Sequence, residues 1–135
     1  MPVNLEIVSP EKLLLSKPVD MVVIPAAEGE MGVLVEHAPM IVLLRAGTIR
    51  LYQGNVVTEQ LYVSGGFAEI TPARVTVLAN EATEVSELSR SEAQSRLTAA
   101  EAEYAAANKN DMPALEAAMD RMQAARAMIE ASQAA

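Results

Sequence analysis

The chain contains no cysteine, which removes a disulfide framework, a thiolate nucleophile and a cysteine-ligated metal from consideration and fits a reducing compartment. Cations are scarce: 10 Lys and Arg stand against 18 Asp and Glu, a formal net charge of -8. A surface of that sign repels phosphate backbones and anionic headgroups, so neither nucleic acid nor the membrane surface is an expected partner. Long hydrophobic runs are missing too. The longest, such as Met40 to Leu44, are far too short to span a bilayer. The opening Met1-Pro2-Val3-Asn4-Leu5-Glu6 has neither the basic start nor the apolar stretch of a secretion signal. The expected compartment is the cytosol, with no direct membrane insertion and any membrane association made through another protein. What the chain does have is 135 residues, 51% of them hydrophobic, enough for one compact domain or a domain with an appendage.

Composition changes near Ala82. All 6 Gly and all but one of the 7 Pro precede it, along with most β-branched residues; beyond it runs an Ala/Glu/Met/Arg-rich stretch of helix formers. The expected domains are 1–84 and 85–135. In the first, apolar and β-branched segments bounded by turn residues predict strands at Asn4–Val8, Lys12–Lys17, Asp20–Ala26, Met31–Val35, Ile41–Ala46, Thr48–Gln53, Asn55–Val63, Gly66–Thr71 and Arg74–Ala79. Gly54-Asn55, Ser64-Gly65-Gly66 and Thr71-Pro72-Ala73 supply turns. Short strands with turns at this spacing predict an antiparallel sandwich or barrel. No helix fits between them, which argues against a parallel sheet built on crossover helices.

In the second half the period is 3.6. Ala93, Leu97, Ala100, Tyr104 and Ala107 form one stripe, and Leu115, Ala118, Met122, Ala125 and Ile129 another. Asn108-Lys109-Asn110-Asp111 interrupts them, with Asp111 placed to cap and Pro113 in the next first turn. The reading is an antiparallel two-helix hairpin. Alanine stripes bury little area, so at roughly 25 cal/mol per Å² the hairpin gains less from packing than a leucine-rich one would.

The stretch Glu28-Gly29-Glu30-Met31-Gly32-Val33-Leu34-Val35-Glu36-His37-Ala38-Pro39 resembles the signature loop of the epsilon subunit family of F-type ATP synthases. Gly47-Thr48-Ile49-Arg50, Tyr62-Val63-Ser64-Gly65-Gly66-Phe67 and Val75-Thr76-Val77-Leu78-Ala79 resemble later strands and the glycine hairpin of the same family. Val35 departs from it, standing where the family usually has proline. The resemblance implies a non-catalytic rotor part without a cofactor, at the cytoplasmic face of the bacterial inner membrane. In that family the sandwich docks on the gamma subunit and on the polar loops of the c-ring. By residue matching, the ring-facing loop would include Glu28, Glu30, His37 and Met40, with Glu30 the candidate partner of a basic c-subunit loop.

In the family the hairpin can extend and lodge its second helix among the alpha and beta catalytic subunits, where basic side chains meet an acidic segment. From Leu115 onward this chain offers only Arg121 and Arg126 against Glu116, Asp120 and Glu130, so the resemblance implies a weak brake on ATP hydrolysis. Some members bind ATP through an Ile/Leu-Asp-x-x-Arg-Ala motif. Here the matching Leu88-Ser89-Arg90-Ser91-Glu92-Ala93 puts Ser89 and Glu92 at the recognition positions. Those two residues spell a capping box instead, and no ATP binding is expected.

Other readings of the same residues are weaker. His37 is the one histidine, and a zinc site needs three or four ligands. Ser64 with His37 as base lacks the G-x-S-x-G elbow, and a hairpin turn accounts for Gly65 and Gly66. Glu28-Gly29-Glu30-Met31-Gly32 has no Lys-Ser/Thr to hold phosphate. Met119, Met122 and Met128 are expected as core filling. The alternative of another class is a protein-interaction adaptor made of a sandwich and a coiled-coil arm.

Overall fold

The computed structural model describes residues 2–134. Ten strands precede two helices: β1 (Val3–Val8), β2 (Leu13–Val19), β3 (Met21–Ala26), β4 (Gly29–Val33), β5 (Met40–Leu44), β6 (Gly47–Gln53), β7 (Val56–Val63), β8 (Gly66–Ile70), β9 (Arg74–Ala79), β10 (Ala82–Glu84), then α1 (Arg90–Ala106) and α2 (Met112–Ala134). The strand order is β10-β7-β6-β3-β5-β8-β9-β1-β2, with β4 on the other side of β3. The seam between its two halves is the single pair Ala26–Leu44. The last strand of this path turns back on its other end, where Lys17 of β2 meets Glu59 of β7 at 3.0 Å. The result is a sandwich.

Alternation fills most of it, except where both faces are covered, as along residues 22–26 of β3. Leu5 and Ile7 of β1, Ile49 and Leu51 of β6, and Val75 and Val77 of β9 point inward and are fully buried; burying each such side chain is worth about 1.5–3 kcal/mol. The turns are where glycine is required. Gly54, at φ +62, closes the β6–β7 turn, and its amide donates to Asp20 Oδ2 at 2.6 Å.

Each expected strand is present within three residues at either end, but three features differ from expectation. The pairing is not wholly antiparallel: β1 runs parallel to β9, which the long intervening chain permits without a crossover helix. A tenth strand, β10, pairs with β7. The capping box forms by half: Ser89 Oγ accepts from the Glu92 amide at 3.2 Å, while the Glu92 carboxylate turns to Arg96 at 3.1 Å. A guanidinium one turn away offers a charge-assisted bond in place of a neutral one. Asp111 caps α2, its Oδ1 accepting from the Ala114 amide at 3.2 Å, with Pro113 in the first turn. Of the three methionines expected as core filling, Met128 is buried at 3% exposure, Met122 is half-buried and Met119 stands out at 45%.

Candidate functional site

The β3–β4 turn carries Glu28 at its tip, and alternation along β4 turns Glu30 away from the sandwich core. Glu30 does not stand alone. It meets Arg50 of β6 at 2.7 Å across β3, a half-exposed pair worth about 0–1 kcal/mol. Glu28 has no ion pair among the described residues. Between this hairpin and β5 lies an open groove of about 530 Å³, lined by Glu28, Glu30, Met31, Met40 and Ile41. Three of the four candidate residues thus share one groove. His37 lies outside its lining, in the 34–39 segment; the Glu36 amide, at φ 67, donates to the Pro72 carbonyl there, and His37 Nδ1 is 2.9 Å from the Ala38 oxygen.

Ser64 and His37 are not brought together. Ser64 precedes β8, and the segment holding His37 meets Pro72 beyond the strand's far end, so roughly 16 Å of strand intervenes. Among the described residues no three His, Cys, Asp or Glu are grouped to hold a metal.

A second surface emerges only from the register. Leu43 pairs with Phe67, Phe67 with Leu78, Leu78 with Val8 and Val8 with Leu13. All five face away from the core, and Leu43 is 67% exposed, Phe67 44% and Leu13 56%. An apolar row crossing five strands is the kind of contiguous patch that marks an interaction site. Each member looked like an ordinary strand residue; only their alignment makes a surface.

The opposite outer face is covered by the hairpin. Tyr62 of β7 points there, is fully buried, and its hydroxyl donates to the Ala124 carbonyl of α2 at 3.0 Å. Arg96 of α1 holds Glu81, beside β10, through two contacts of 2.9 and 3.1 Å. Arg121 of α2 reaches Glu103 of α1 through its Nε at 2.7 Å and holds that carboxyl below its usual range.

Burial pushes the Tyr62 phenol from 10.0 up to about 12, with Glu81 adding to the rise and Arg96 opposing it. The folded state therefore keeps a proton that the unfolded chain releases. The resulting stabilisation is complete below pH 10 and lost as the pH climbs from 10 to about 12. It is worth at most about 3 kcal/mol. Denaturant titrations across that range should show the loss in the parent chain, whereas Tyr62→Phe, without the titrating group, should lack this component; identical pH profiles would disprove the assignment.

No helix among the described residues is long and apolar enough to cross a membrane. The family profile described as ATP synthase, Delta/Epsilon chain, beta-sandwich domain matches residues 2–85. An ATP synthase epsilon chain of Granulibacter bethesdensis is 67% identical over 129 residues, 96% of either chain. That of Gluconacetobacter diazotrophicus is 48% identical, covering 98% of this chain and 94% of its own. A chain in the cryo-EM structure of Euglena gracilis mitochondrial ATP synthase, OSCP/F1/c-ring in rotational state 1, superposes with TM-score 0.80 at 22% identity, over 96% of this chain and 81% of that one. At that identity the likeness is one of fold. The sandwich, the signature loop and these relatives together place the chain in the family of ATP synthase epsilon chains, non-catalytic subunits of that enzyme.

Proposed function

We propose that this chain is a rotor subunit of a bacterial F-type ATP synthase, attached at the cytoplasmic face of the inner membrane, with its sandwich docked on the gamma subunit and on the polar loops of the c-ring. The observation that carries the reading is the exposed row Leu13, Val8, Leu78, Phe67 and Leu43. In a lone chain this surface would remain in water; against gamma it gains an apolar partner. The groove of Glu28, Glu30 and Met40, with His37 nearby in sequence, is the ring-facing contact. There Glu30 exchanges Arg50 for a base of the c-ring loop, and Glu28 adds its charge. Such pairs fix register and partner choice more than affinity.

The hairpin modulates ATP hydrolysis by extending toward the alpha and beta catalytic subunits. It does so weakly, because its second helix carries two arginines against three carboxylates from Leu115 onward.

The test is co-purification with gamma of the full chain and of a chain ending at Glu84. Both should retain gamma and their sheet signal, because the apolar row and the sandwich core lie entirely within residues 1–84, which form the gamma-binding domain. Loss of gamma from both chains would remove the rotor reading; loss from the shorter one alone would remove the domain assignment.

A further inference from the structure

The contact between hairpin and sandwich is narrow and chemically uneven. It is α2, against β6, β7 and the turn at Val85–Glu87, that packs on the sheet. The buried residues there are Tyr62, Val85, Ala93, Met128 and Ala131. Two are alanines, and Tyr62 is the one aromatic among the five. Tyr62 is the bulkiest fully buried side chain among the described residues. Its neighbours on β7, Leu61 and Val63, belong to the sandwich core, whereas Tyr62 belongs to this second cluster. Alternation along one strand thus assigns consecutive residues to different cores.

Polar contacts are as uneven. Among the described residues, two side chains tie hairpin to sandwich: the Tyr62 hydroxyl on the Ala124 carbonyl, and Arg96 on Glu81. The Arg96–Glu81 pair is 43% and 41% exposed, so water and salt weaken it. The tyrosine bond is made by a side chain that is itself fully buried.

We propose that Tyr62 is the clasp of the hairpin: its ring fills the junction with α2, its hydroxyl holds the Ala124 carbonyl, and this one position sets the fraction of molecules with the hairpin undocked. The sandwich core does not depend on it. Arg96 with Glu81 is an auxiliary point, and the α1–α2 contact held by Arg121 and Glu103 moves with the hairpin as a unit.

Hydrogen exchange on the full chain tests this directly, with Tyr62→Phe, Tyr62→Ala and Glu81→Gln beside the parent. The alanine-rich hairpin frays once undocked, so α2 amides report release. Tyr62→Ala should speed their exchange at least about a hundredfold, with β1, β8 and β9 unchanged. Tyr62→Phe, losing only the hydrogen bond, should speed it about fivefold, and Glu81→Gln less than about threefold. Unchanged α2 exchange in Tyr62→Ala, or equal loss of protection in sandwich and hairpin, overturns the clasp. Should the alanine variant not fold, the phenylalanine variant decides: a selective rise in α2 supports it, and no rise overturns it.

A second arm rests on the proposed rotor function. In the assembled ATP synthase, a released hairpin should lower ATP hydrolysis relative to the parent. Release seen by exchange with hydrolysis unchanged leaves the clasp standing and removes the regulatory role of the hairpin.

Discussion

Replacing Gly66 by alanine should destabilise the sandwich by about 3–5 kcal/mol and lower its melting temperature by about 10 °C or more. Two causes add. Gly66 opens β8 at φ +132, which L side chains rarely adopt. It also sits in the ladder between Leu44 and Ala79. An added Cβ would run into the Leu78 carbonyl oxygen and lie 3.0 Å from Ala79 Cα. Both obstacles are backbone, so neither can swing aside as a side-chain tip would. Against a total stability on the order of 5–15 kcal/mol, the loss is large. Gly54 provides the control: its φ of +62 is also left-handed, but nothing lies within 4 Å of an added Cβ, so Gly54→Ala should cost only about 1–2 kcal/mol. Thermal denaturation of both variants by circular dichroism decides it. Equal shifts would mean that the close approach at Gly66 relaxes at little cost.

Phe67→Glu should fold with nearly the parent's stability and bind gamma at least about a hundredfold more weakly. Phe67 stands inside the exposed row, flanked by Leu43 and Leu78, where a docked partner excludes water more completely than at the ends. A carboxylate there would be desolvated against apolar neighbours without a counter-charge, at a cost of several kcal/mol. In the unbound chain the same carboxylate faces water, since Phe67 is already 44% exposed. Leu13→Glu, at the end of the row on β2, should weaken binding far less, because rim positions stay wet. The measurement is titration of purified gamma with each variant, alongside its melting curve. Affinity within threefold of the parent for Phe67→Glu, with the fold intact, would mean that gamma docks elsewhere.

The signature loop shows how far residue matching reaches. Glu28, Glu30 and Met40 do meet around one groove, but the matched residues gave no sign that Glu30 already has Arg50 beside it. Arg50 lies twenty positions away and reaches Glu30 only because β3 separates β4 from β6 by one strand. His37 falls outside the groove because the 34–39 segment is tied to the Pro72 turn.

Local signals in the sequence determined nearly every element. The period of two and the turn residues placed nine strands, and the period of 3.6 with Asp111 and Pro113 placed the hairpin, because each is a relation among residues within one or two turns of chain. β10 escaped, since three residues of Ala82–Glu84 carry too little pattern to be seen without the β7 edge they join. The tertiary structure alone decided what depends on register between distant segments. That includes the parallel β1–β9 pair, the alignment of five unremarkable residues into one apolar row, and the face on which Tyr62 emerges. A shift of one residue in any ladder would have turned those side chains to the other side of the sheet, and nothing within a single segment specifies its neighbour's register.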